Sequence, residues 1–134
     1  MRELAILKVR NKLSENPMKK GNKYTLTRIY FESNNSDFLE KSKLELDDLV
    51  GVLNEFPSIV IQIKGHTDNV GNYGANISLS KERAKNVYAY LVSKGIDANR
   101  LSYDGYGSNQ PFTENITEED RAINRRVEFV IMKE

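Results

Sequence analysis

The chain contains no cysteine, which removes disulfides, thiolate metal sites and thiol nucleophiles. His66 is its only histidine, so no second imidazole is available to complete a metal site. Charge of one sign is also missing: 20 Lys and Arg stand against 19 Asp and Glu, leaving a formal net charge of +1. A field over the whole surface that would gather nucleic acid or an anionic membrane is therefore absent, and any recognition of charge must be local. No apolar run approaches the roughly 20 residues of a membrane span, and the first residues carry no signal-peptide core. Internal repeats and low-complexity segments are absent as well. What is present is 134 residues, enough for one compact domain with a hydrophobic core.

Residues 1–23 have little pattern. Pro17, Gly21 and the lysines around them read as a linker or a loosely packed N-terminal segment, and the domain is expected over 24–134. Thr25 to Phe31 is β-rich and bounded by the Ser33-Asn34-Asn35-Ser36 turn, which predicts a strand. Ser42-x-x-Glu45 has the form of a capping box. Leu46, Leu49, Val50 and Leu53 recur behind it at helical spacing up to Phe56, before Pro57. Ile59, Ile61 and Ile63 share one face of the next strand. This strand-helix-strand order with a tight return predicts a right-handed crossover and parallel pairing of the two strands.

A second helix is predicted from Ser80 to Lys94, with Ala84, Val87, Tyr88 and Leu91 as its buried stripe and Gly95 as a left-handed C-cap. A strand over Arg100–Asp104, a helical turn over Glu118–Asn124 and a last strand carrying Val127, Phe129 and Ile131 complete the chain. The expected fold is an α/β (α+β) two-layer sandwich: a mixed sheet of about four strands with two main helices packed on one face. Leu49, Leu53, Ile61, Ile63, Val87, Leu91, Val127 and Phe129 are its expected core.

The densest local chemistry lies between Ile61 and Ala84. Gly65 breaks the strand, a loop rich in Gly, Asn and Asp runs from His66 to Leu79, and Ser80 is placed to cap the following helix. Arg83 then falls in that helix's first turn, where the exposed N–H groups and the dipole favour an anion. Its guanidinium adds a bidentate donor for a carboxylate. Each of these residues also has a plainer role. His66 shapes the loop by hydrogen bonding, Asp68-Asn69 supplies turn chemistry, and an isolated helix arginine is commonly solvated. Arg125-Arg126 is too short a basic run to neutralise a nucleic-acid backbone. Tyr88, Tyr90, Tyr103 and Tyr106 read as core and rim.

Gly65-His66-Thr67-Asp68-Asn69-x-Gly71, Asn76, Leu79-Ser80-x-x-Arg83-Ala84, Gly105-Tyr106-Gly107 and Arg121-Ala122-x-Asn124-Arg125-Arg126-Val127-Glu128 occur in this order. Together they resemble the OmpA/MotB/Pal-type peptidoglycan-binding domain, from Lys23 to the end of the chain. The resemblance implies non-covalent, non-catalytic binding of peptidoglycan through the diaminopimelate of the stem peptide, anchoring an envelope protein to the wall. It implies a periplasmic setting, a parent protein associated with the outer membrane, and no cofactor or metal. Asp68 and Arg83 would hold the ligand's carboxylate, with Thr67, Asn76, Asn124 and Arg125 around them. Glu32 stands where an aspartate is commoner, and Asp37 is a nearby substitute. Asp68 either orients the loop so that its own N–H donates or meets the ligand's ammonium directly. Two alternatives remain: a protein-interaction domain in an envelope complex, and a cell-wall hydrolase using Asp68 or Glu32 with His66. Against the hydrolase stands the lack of a nucleophile with an oriented base at a recognisable spacing.

Overall fold

The computed structural model describes residues 19–26 and 42–134. Its elements are β1 (Lys23–Thr25), α1 (Lys43–Glu55), β2 (Val60–Gly65), α2 (Tyr73–Ser93), a 3-10 turn (Ala98–Arg100), β3 (Leu101–Gly105), α3 (Glu118–Asn124) and β4 (Val127–Lys133). They form a mixed sheet in the order β1-β4-β2-β3 with helices against it, an α+β sandwich. β2 and β3 run parallel, while β4 is antiparallel to both β1 and β2. The last strand thus lies between β1 and β2. The parallel pairing expected of those two is replaced by a parallel pair one step later, β2 with β3 across α2.

Strand alternation divides the sheet into two faces. Tyr24, Phe129 and Ile63 stand in one register row, and Ile131 and Ile61 in another; all are buried. They join Leu46, Leu49 and Leu53 of α1 and Ala84, Val87 and Leu91 of α2 in one core, and the two helices touch each other. All eight residues named above as the expected core are buried. The opposite face carries Thr25, Glu128 and Lys64 in a row across three strands. Arg100 ties the layers together by donating to the carbonyls of Leu53, Phe56 and Ile59.

Three boundaries differ from the sequence reading. Of the strand expected over Thr25–Phe31, only its first residue belongs to β1, Leu26 follows as a buried residue, and 27–31 lie outside the described residues. Ser42 has helical backbone angles and makes no side-chain cap bond, so the Ser42/Glu45 capping box does not form. A capping box forms instead at Thr117/Asp120, at the head of α3. Most consequentially, α2 begins at Tyr73 rather than after Ser80. Asn72 caps it, its Oδ1 accepting from Ala75 N–H at 2.9 Å. The helix ends as expected, with Gly95 at φ +96° and bonds from Gly95 N–H to Val92 O and from Ile96 N–H to Leu91 O.

The early start lets the middle of α2 press on the ends of β2 and β3. A Cβ on Gly65 would sit 2.1 Å from the Ser80 carbonyl oxygen, and one on Gly105 would sit 2.2 Å from Lys81 N. Only glycine at both positions allows that approach. Ser80, in the helix interior, donates to Ile77 O and accepts from Gly107 N–H, pinning the turn after β3 to the helix.

Candidate functional site

The loop leaving β2 is fixed by backbone bonds before any side chain acts. His66 N–H donates to Arg126 O, Thr67 N–H to Gly107 O, and Tyr106 N–H to Gly65 O. Asp68 follows, only 8% exposed. Its Oδ1 accepts from Val70 N–H at 3.0 Å, an Asx turn. Its Oδ2 receives Arg125 Nη1 at 2.6 Å, and the other arm of that guanidinium, Nη2, donates to Glu118 Oε1 at 2.6 Å. Arg125 holds its proton more tightly than usual: burial works against the charge, but the bonds to Glu118 and Asp68 outweigh it. The same contact, chiefly the hydrogen bond from Arg125, lowers the Glu118 carboxyl's pKa.

Arg83 is 6% exposed and lies deep in α2, not in its first turn. The helix-dipole argument for an anion beside it therefore fails, because that effect is confined to the terminal turn. Burial and a tertiary neighbourhood replace it. Desolvation and the nearby charge of Arg125 pull the Arg83 pKa down, and Asp68 offsets part of this. The charges of Asp68 and Arg125 are thus both felt at the buried Arg83 guanidinium.

The remaining expected residues separate by what their polar atoms already do. Thr67 is buried, and its hydroxyl donates to Asp68 O at 2.8 Å. Asn76, expected in a loop, lies in the first turn of α2 and donates from Nδ2 to Val70 O, stapling the loop to the helix. Asn124 is fully buried; its Oδ1 accepts from Phe112 and Thr113 N–H, and its Nδ2 donates to Thr113 O and Asn115 Oδ1. All four of its side-chain bonds are spent on the 112–115 loop. Glu32 and Asp37 lie outside the described residues. Glu118 was not singled out from the sequence; the Thr117-x-x-Asp120 cap that places it was the available signal.

His66 is buried with its ring stacked on Tyr106 at 5.8 Å. Its Nε2 lies 2.7 Å from Glu128 Oε1 in a contact that is short but poorly aligned for a hydrogen bond. Burial lowers the imidazole pKa and so favours the neutral ring. Glu128 is subject to burial, which raises its pKa. The His66 contact and the charge of Arg126 outweigh that and bring it down to about 2. Among the described residues no group of three His, Asp or Glu is placed to hold a metal ion. No helix of these residues is long and apolar enough to cross a membrane.

Comparison with known proteins gives the family of the chain. Residues 30–125 match the OmpA family. Outer membrane protein Omp38 of Acinetobacter baumannii is 41% identical over 101 residues, 75% of this chain and 28% of its own length. Peptidoglycan-binding protein ArfA of Mycobacterium tuberculosis is 43% identical over 86 residues, 64% of this chain and 26% of its own length. The chain therefore spans about a quarter of the length of these curated relatives. The crystal structure of a MotB-like protein from Desulfovibrio vulgaris superposes with a TM-score of 0.76 at 30% identity, covering 84% of this chain and 73% of that one. On the match over 30–125 and these relatives, the chain is a member of the OmpA family.

Proposed function

We propose that this domain binds peptidoglycan without cleaving it, gripping the diaminopimelate of the stem peptide, and so anchors an envelope protein to the wall from the periplasm. The observation that carries the reading is the Asp68 carboxylate paired with Arg125 at 2.6 Å, near enough to the buried Arg83 for its charge to be felt there. Diaminopimelate ends in a zwitterion, a carboxylate beside an ammonium. Arg83 and Arg125 offer two planar donor forks for the carboxylate, and Asp68 offers the counter-charge for the ammonium. Thr67, Asn76 and Asn124 are assigned to holding this geometry, since their side chains close the 66–72 and 112–115 loops. The peptidoglycan-binding name of ArfA, 43% identical, supports the same reading.

Arg125 is shared between Asp68 and Glu118 and partly open to solvent. A ligand carboxylate can take the place of Glu118 without uncovering a buried charge. Binding then exchanges one ion pair for another rather than building a new one in water, where exposed pairs contribute little. Incubation with purified sacculi tests the proposal. Co-sedimentation with no soluble muropeptides is the expected result. Release of muropeptides would make the domain a hydrolase, and absence from the pellet would favour a protein-interaction module.

A further inference from the structure

The face of the sheet away from the helices holds a cavity of about 550 Å³, and no residue of the 66–72 loop lines it. Thr25, Glu128 and Lys64 form one row of that face across β1, β4 and β2. Lys23 shares the face by strand alternation. The charges on the wall do not balance. Lys23, Lys64 and Arg126 stand against Glu128 alone, so three cations less one carboxylate leave two positive charges.

Hydrogen-bond donors are left over as well. Lys64 is 7% exposed, and its ammonium rests on neutral partners, Gln110 Oε1 at 2.7 Å and the Tyr106 ring at 4.6 Å. Among the described residues no carboxylate oxygen lies within ion-pair distance of Lys64 Nζ. Burying an ammonium on such terms is costly, and burial together with Lys23 and Arg126 pulls its pKa down. The side chains of Lys23 and Thr25 make no hydrogen bond or ion pair among the described residues. Arg126 Nε is likewise buried without a partner there. A carboxylate would bring one charge and two oxygens in one plane. A phosphate monoester brings close to two charges at about pH 7 and three strong acceptor oxygens, which suits both the surplus charge and the spare donors. Orthophosphate alone would fill little of a space this size, since pockets for small organic ligands run roughly 300–1,000 Å³. Phe112, also in the wall, is 69% exposed and offers its ring to an organic group.

We propose that this cavity is a second ligand site, taking a phosphate monoester. The phosphate meets Lys64, Lys23 and Thr25, Arg126 adds its fixed charge, and the organic group lies on Phe112. A soluble ester and a lipid headgroup ending in a phosphate monoester share that chemistry. The site has no residue in common with the Asp68 cluster, so it stands whether or not that cluster grips the wall.

Titration of isotope-labelled protein followed by NMR, at constant ionic strength, tests it with phenyl phosphate, inorganic phosphate and benzoate. Phenyl phosphate should saturably shift the amide signals of Thr25, Lys64, Gln110 and Phe112 while leaving Asp68 and Val70 in place. Its affinity should rise as the phosphate loses its second proton near about pH 6. Benzoate, the same ring with a single charge, should bind about tenfold more weakly, the loss of one charge-assisted contact. Lys64→Met should weaken phenyl phosphate by a similar factor. If that variant does not fold, Lys23→Gln, at an exposed position, tests the cations in its place. Phe112→Ala should weaken phenyl phosphate a few-fold and leave inorganic phosphate unchanged. Vesicles of phosphatidic acid and of phosphatidylglycerol separate the sources. Co-sedimentation with phosphatidic acid alone, lost in Lys64→Met or Lys23→Gln, names a lipid; a phenyl phosphate response without vesicle binding names a soluble ester. Benzoate binding as tightly as phenyl phosphate would overturn the match to a dianion. No saturable response to phenyl phosphate, or one that survives loss of the lysines in a folded protein, would overturn the site.

Discussion

Arg125 and Arg126 are neighbours in sequence and opposites in setting. Arg125 has a side chain 38% exposed and holds two carboxylates, Asp68 and Glu118, at 2.6 Å each. Arg126 has a side chain 9% exposed, and its strongest bond, at 2.8 Å, goes to the Gln110 carbonyl, with Glu128 at 3.4 Å and Phe112 against its face. Arg125 caps the end of α3, and Arg126 is the last residue before β4 begins at Val127. The same residue type thus becomes an exchangeable clamp at a solvent-facing mouth and a fixed brace in the wall of the sheet. Exposure and the number of partners already engaged decide which, rather than charge.

The largest expected effect is on the braced side. Glu128→Ala would leave Arg126 and His66 without their carboxylate and should cost about 3 to 5 kcal/mol in a denaturant titration. A cost near zero would show that the Glu128 cluster does not brace the fold.

The pH dependence should separate the two sides next. Glu128 titrates near 2 in the fold, against an ordinary value of 4.5. The folded state therefore binds fewer protons, and its contribution to stability is complete above about pH 4.5. That contribution, on the order of 3 kcal/mol, is lost as pH falls towards 2. Glu128→Gln should flatten this part of the stability curve, as read by melting temperature against pH. A slope that survives Glu128→Gln unchanged would show that the Glu128 cluster does not carry it.

Changes on the clamp side should act on ligand rather than fold. Arg125→Ala removes a partly exposed pair and should cost at most about 1 kcal/mol of stability, while weakening stem-peptide binding measured by calorimetry. Glu118→Gln is the smallest change. It should leave the melting temperature unaltered and tighten binding a few-fold by releasing Arg125. Weaker binding after Glu118→Gln would mean that Glu118 positions the guanidinium instead of competing for it.

Much of this architecture was legible in the residues, for stated reasons. The period-2 runs at Ile59–Ile63 and Val127–Ile131 and the helical spacing of Leu46, Leu49 and Leu53 report burial directly, and the structure buries them. Sheet order was not legible, because β4 joins β1 and β2 through contacts more than 60 residues apart in sequence. The start of α2 was missed because Asn72, Gly74 and Asn76 have turn-like composition. Asn72 nevertheless carries the cap, and tertiary packing at Gly65 and Gly105 extends the helix through them. The Ser42/Glu45 motif failed for the converse reason: the pattern is present, but Ser42 has already entered the helix. At the candidate site, the resemblance picked out Asp68 and Arg125, which the fold pairs. The helix-end argument for Arg83 failed because α2 begins at Tyr73, which leaves the resemblance as the basis for its binding role. Its burial is a tertiary fact that no local pattern carries.

The central claim is that two guanidinium groups around Asp68 grip the diaminopimelate carboxylate. Calorimetric titration of two stem peptides, identical except for diaminopimelate or lysine at the third position, tests it most directly. Lysine keeps the aliphatic arm and the ammonium and lacks the carboxylate. The diaminopimelate peptide should bind at least about tenfold more tightly, and Arg83→Ala, with melting followed because Arg83 is buried, should remove the difference. Equal affinity for the two peptides, or a difference that survives Arg83→Ala in a folded protein, would contradict the account.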